Sequence, residues 1–273
     1  MPSSNPAFKG LGGAGNGQQS AAWGQPQYGA PGQYGAPADP YAAPSPYAAT
    51  GTQYMTMDDV VTKTGVTFLV TVLTAAATWM AVPNEVAIGL LFPAAIVALI
   101  LGLVISFKQI ANPVATLAYA ALQGVVVGAV SEFYADNFGA NIITQAVIGT
   151  FGVFFGMLVV YKTGAIRVTP KLTRWIVGAL FGVLALVIVN LVASFFTDGG
   201  LGLRQDGPIG IIFSLVVIGV AAFTLLLDFD MADEAIRRGA PAKFAWYISF
   251  GLLVTVVWLY LEILRLLSYL QSE

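Results

Sequence analysis

The chain reads as an all-α, polytopic membrane protein with about seven transmembrane helices. Two observations predict this class. Only 10% of the 273 residues are charged and 57% are hydrophobic, whereas a soluble domain carries about 25% charged residues. The apolar residues also gather into continuous runs of about 17–25 residues, long enough to cross a hydrocarbon core as helices. Runs that are continuous, not alternating, favour helices over a barrel.

Taken in order, residues 1–56 come first and differ from everything after them. They are rich in Gly, Pro, Ala, Gln and Tyr, with Lys9 and Asp39 as their only charges, and QYGAP occurs twice. Such a stretch cannot bury enough apolar surface to offset chain entropy. It is expected to be a disordered tail, with residues 57–273 forming the transmembrane domain. No basic segment leads into an apolar one, so the tail does not read as a signal peptide.

The first span is predicted from Val60 to Val82 and the second from Val86 to Phe107. The third runs from Val114 to about Ser131, and the fourth from Ile142 to Tyr161. The fifth covers Trp175 to Phe196, the sixth Ile209 to about Asp230, and the seventh Phe244 to Leu267. Pro83-Asn84, Asn112-Pro113, Thr169-Pro170, Asp206-Gly207-Pro208 and Gly239-Ala240-Pro241 punctuate them as turns. Gly124 and Gly128, Gly152 and Gly156, and Gly178 and Gly182 are each four apart. That spacing places both glycines on one helix face and lets a neighbouring backbone approach.

Basic residues orient the bundle. Lys63, Lys108, Lys162, Arg167, Lys171, Arg174, Arg237, Arg238 and Lys243 fall on one set of loops, and Arg204 and Arg265 on the other. The richer side should be cytoplasmic, which puts the N-terminus inside and the C-terminus outside. The bilayer is the partner the composition implies. With a net charge of −2 and no basic stripe, nucleic-acid binding is not expected. The chain contains no Cys and no His. This removes thiolate chemistry, His-ligated zinc and a Ser–His pair. An enzyme is not expected, nor a resident cofactor.

Acids inside the apolar runs carry the functional argument, because an acid at membrane depth costs about 2.5–3.5 kcal/mol on insertion scales. Asp228 lies about 28 Å along the sixth span from Ile209, near the inner edge of the hydrocarbon. It either marks a helix end in water, or sits in a partly dry mouth where it can hold a cation or a proton. It is also the one candidate metal ligand. Asp230 either joins it or belongs to the solvated extension. On that extension Asp233–Arg237 and Glu234–Arg238 are acid-to-base pairs four apart. Glu262 lies deep in the seventh span with Arg265 three residues on. It is either half of an internal ion pair or an acid in a conduction path. Counting from the turn at Gly239–Pro241 puts Asp228 level with Leu252, within a turn of Thr255, so Asp228 and Glu262 should not touch. Gln123 is expected to bridge helices. Glu132 and Asp136, at the outer end of the third span, read either as an entrance for cations or as a solvated loop.

The segments LQGVVVGAVSEFY, YKTGAIRVTP, LLLDFDMADEAI (Leu225–Ile236) and FGLLVTVVWLYLEILRLL, in this order and spacing along the spans, together resemble the Bax inhibitor-1 family. The likeness covers about Asp58 to Leu270 and is nearest to its bacterial, actinobacterial-looking branch. The resemblance implies six helices packed around a central C-terminal one, in a bacterial plasma membrane. It also implies a pH-sensitive calcium leak, in which an acid ending the sixth helix hydrogen-bonds an acid in the seventh. Asp228 matches the first acid. The second falls on Thr255, a departure, with Asp230 or Glu262 as the available substitutes. Calcium would then be the transported ion, suited to hard oxygen ligands. The family's reported roles in restraining a membrane protease and in stress survival imply the alternative, a scaffold or regulator with a membrane-protein partner.

Overall fold

In the computed structural model, the described residues are 53–197, 200–205 and 207–272, apart from the side chains at 84, 85 and 88. The disorder expected of the tail falls, up to residue 52, outside the described residues, as does Asp206. Seven helices long and apolar enough to span a membrane follow one another. They are α1 (Met57–Ala81), α2 (Asn84–Lys108), α3 (Pro113–Phe138), α4 (Asn141–Thr163), α5 (Pro170–Ala193), α6 (Pro208–Arg237) and α7 (Ala245–Ser272).

Their starts follow from local chemistry. Thr56 and Asp59 form a reciprocal capping box at the head of α1. Asn112 and Thr169 cap α3 and α5, each ahead of a proline in the first turn that has no N–H to leave orphaned. At the other end of α4, Gly164 takes a left-handed conformation (φ 67°) and closes the helix. At 30 residues α6 is about 45 Å long, so it outruns a hydrocarbon core of about 30 Å. Its last two turns carry Asp233, Glu234 and Arg237, which pair as the sequence predicts: Arg237–Asp233 at 3.2 Å and Arg238–Glu234 at 2.6 Å.

The C-terminal helix is the one most enclosed by the others. α7 packs directly against α1, α3, α4 and α6, while α2 rests chiefly on α3 and α5 on α6. Leu225 of α6 and Leu253, Leu259 and Leu264 of α7 are fully buried at the centre. The most extensive contact joins α1 to α3. There Thr67, Thr71, Thr74 and Thr78 turn their hydroxyls to carbonyls one turn back on their own helix. This leaves a slim, satisfied surface.

Gly124 and Gly128 press onto that surface. A Cβ at Gly128 would lie 2.5 Å from the Ala75 carbonyl oxygen, so no side chain fits. The other two glycine pairs correct the prediction: a Cβ at Gly152, Gly156, Gly178 or Gly182 would meet nothing within 4 Å. Spacing alone does not say which side of a helix meets a neighbour.

Residues 53–56 belong to the folded part. The Met55 N–H donates to the Ala240 carbonyl at 2.8 Å and the Ala242 N–H to the Gln53 carbonyl at 2.7 Å, with Met55 buried. Lys63 donates to Asp59 and to the Ala242 carbonyl, at 3.1 and 2.6 Å. The root of the tail is therefore stapled to the α6–α7 connection.

Candidate functional site

The acids of α6 and α7 resolve into two separate centres. At the one nearer the α6–α7 connection, the Thr255 hydroxyl donates to Asp228 Oδ2 at 2.6 Å. It also lies 3.2 Å from the Gly251 carbonyl. With one proton to give, it favours the shorter, charge-assisted bond. This contact joins the end of the apolar part of α6 to α7 about one turn before its middle. A cavity of about 190 Å³ opens beside it, lined by Ser106 of α2, Asp228 and Met231 of α6, and Tyr247, Gly251 and Thr255 of α7. Ser106 and Tyr247 were not singled out from the sequence. Ser106 left a signal, as a lone hydroxyl near the end of an otherwise apolar run.

Asp230 does not join this centre. Two residues past Asp228, it faces α4, where Tyr161 donates to Asp233 at 3.3 Å and lies 3.5 Å from Asp230, at the limit of a hydrogen bond. The idea of an acidic mouth formed by Asp228 and Asp230 is thereby corrected: a step of two residues turns the side chain to the other side of the helix. No group of three or more acidic, His or Cys side chains capable of holding a metal occurs among the described residues. Calcium takes six to eight oxygen ligands. One carboxylate with the hydroxyls of Ser106, Tyr247 and Thr255 falls short of that number.

At the second centre, farther from the α6–α7 connection, Glu262 is buried with both oxygens engaged. Ser214 of α6 donates to Oε1 at 3.0 Å, and Arg265 donates to Oε2 at 2.6 Å. The ion-pair alternative read from the sequence is the arrangement present. Glu262 lies seven residues beyond Thr255, about 10 Å along α7, and has its own partners, so it does not meet Asp228. Ala221 and Leu225 of α6, and Val256 and Leu259 of α7, are buried between the two centres. That level is packed shut in this conformation. Arg204, in the loop before α6, adds a second guanidinium here. Burial, and then repulsion from Arg265, hold it below the ordinary arginine value.

Two further expectations need correction. Glu132 is neither in a loop nor solvated: it continues the Gly124–Gly128 stripe within α3 and is buried, with Oε2 lacking a hydrogen-bond partner among the described residues. Gln123 does not bridge helices, but donates to Tyr119 one turn back on α3, at 2.6 Å.

Seven membrane-length helices, apolar side chains facing outward on most of them, and the mid-span acids Asp228 and Glu262 turned to partners on neighbouring helices define a multi-pass α-helical membrane protein. Within that class, the chain matches the family described as Bax inhibitor 1 like over residues 5–272. It therefore belongs to that family. Comparison with curated proteins gives no match.

Proposed function

We propose that this protein passes cations, calcium foremost, across a bacterial plasma membrane, and that the proton state of Asp228 controls the passage. The tail is cytoplasmic in this reading, as the basic loops indicate. The observation that carries it is the 2.6 Å bond from Thr255 to Asp228, which ties α6 to α7 beside a cavity at the inner end of the bundle.

The Thr255 hydroxyl donates best to a carboxylate. When Asp228 takes up a proton, it becomes a donor itself, and the hydroxyl can turn wholly to the Gly251 carbonyl. The link between α6 and α7 then changes with one proton, without a second acid. The polar side chains facing the ion at this point, those of Asp228, Ser106, Tyr247 and Thr255, offer oxygen, as a hard cation requires. The Glu262–Arg265 pair closes the outer half and must rearrange for an ion to pass.

Calcium flux into proteoliposomes, followed across pH, tests the proposal. Wild-type protein should give a pH-dependent flux above that of protein-free vesicles, and Asp228→Asn should remove the dependence. An unchanged profile in Asp228→Asn would overturn it.

A second reading rests on the stapled tail root. A membrane-protein partner bound to the tail would pull on the α6–α7 connection through Met55 and Ala240, making the protein a regulator or scaffold. Capture of a membrane protein by the full chain, lost on deleting residues 1–52 while flux persists, would favour this reading.

A further inference from the structure

The cavity at Asp228 continues into a larger groove. A second space of about 450 Å³ lies between α2, α3 and α7, and the two share Ser106, Phe250 and Val254 in their walls. The groove opens sideways. α2 packs on α3, α6 packs on α4 and α7, and α2 makes no comparable contact with α6 among the described residues. The strip of α7 between them is left to the surroundings. Leu99, Leu103, Met231 and Val254 along this opening are 62%, 47%, 47% and 37% exposed. In a chain that spans a bilayer, that opening faces hydrocarbon.

We infer that this groove binds the acyl chain of an inner-leaflet phospholipid whose ammonium head reaches Asp228. Three observations identify the occupant. First is length: from Ser106 to Ala95 is eleven residues of helix, about 16 Å, against about 15 Å for one leaflet of a 30 Å hydrocarbon core. Second is polarity: Ala95, Leu99, Gly102 and Leu103 line one end, where the Gln123 amide is turned to the Tyr119 hydroxyl, whereas Ser106, Asp228 and Thr255 gather at the cytoplasmic end. Third is charge. Thr255 donates to Oδ2 of Asp228, but Oδ1 receives no hydrogen bond among the described residues, and Asp228 lines the cavity. A ligand there must bring a donor, and positive charge suits it. A primary ammonium brings both. A choline head brings charge without an N–H. The level is right as well, since α6 outruns the hydrocarbon core and Asp228 falls near its inner edge.

The inference rests on the transmembrane placement, not on cation passage, so a protein that carries no flux can still show it. The test uses the full chain in nanodiscs containing phospholipids with a photoactivatable acyl chain, headed either by ethanolamine or by choline. Peptide mapping then compares residues 95–106 and Val254 with the outward face of α5 at Phe181 and Leu184. Ethanolamine lipid should label the groove about tenfold more than choline lipid, the effect of one charge-assisted bond worth about 1.4 kcal/mol. The face of α5 should not distinguish the two. Asp228→Asn should abolish the head-group preference while labelling persists, and Ala95→Phe should reduce groove labelling with either lipid. Equal labelling of groove and α5, or a groove indifferent to the head group in the wild-type protein, overturns the assignment. That wild-type comparison decides the matter even where a variant fails to fold.

Discussion

Removing Arg265 should be among the most damaging single changes in the bundle. The Glu262 side chain is 2% exposed and that of Arg265 21%, with 2.6 Å between them. Arg265→Leu leaves a buried carboxylate whose one remaining hydrogen bond comes from the Ser214 hydroxyl, with the Arg204 guanidinium in electrostatic reach but not hydrogen-bonded to it. Breaking one side of such a pair costs about 3–5 kcal/mol. Glu262→Leu is milder, about 1–3 kcal/mol, because Arg265 is partly exposed near the end of α7 and its long side chain can reach outward to water. The double change Glu262→Leu with Arg265→Leu removes both charges and should fall near wild type. Reversible unfolding in mixed micelles, read as a double-mutant cycle, gives the coupling directly. It should exceed about 2 kcal/mol. The reasoning is refuted if Arg265→Leu costs less than about 1 kcal/mol, the range of an exposed pair, or if the two single changes simply add.

Gly128→Val, driven against the Ala75 carbonyl, should lower stability by at least about 1–3 kcal/mol, whereas Gly178→Val, with open space at its Cβ, should cost no more than the small propensity difference. The same micelle unfolding measurement compares them. Met55→Ala should free the tail root from the α6–α7 connection. A loss of about 2 kcal/mol would raise local opening about thirtyfold, and proteolysis at residues 53–56 reads it. Unchanged cleavage would mean that the backbone bonds to Ala240 and Gln53 hold without the buried side chain.

Much of this architecture is written in the sequence, and the reasons are physical. A helix that crosses lipid must be long and apolar, so the seven spans stand out from length and hydropathy alone. Pairs within one helix are equally plain: Asp233–Arg237, Glu234–Arg238 and Glu262–Arg265 all form, because three or four residues bring side chains together wherever the helix lies. Counting back from a tight turn also places Asp228 within reach of Thr255 across the hairpin. What stays hidden is the rotation of each helix about its axis. Three glycine pairs look alike in sequence, yet only Gly124 and Gly128 meet a neighbour. Ser214 is one more small residue until α6 turns it to Glu262. Asp230 faces Tyr161 and not Asp228 for the same reason, and Glu132 is buried because it shares the α3 face that presses on α1. The lateral groove depends on which pairs of helices do not touch, and no single helix encodes that.

Infrared difference spectroscopy of the reconstituted protein, with pH stepped through the range in which flux changes, asks most directly whether one proton on one aspartate governs passage. A carboxylic-acid band should appear and vanish in step with the flux, and Asp228→Asn should erase the band and the pH response together. A band that survives in Asp228→Asn, or a flux that changes with pH while no carboxyl signal moves, would contradict the account.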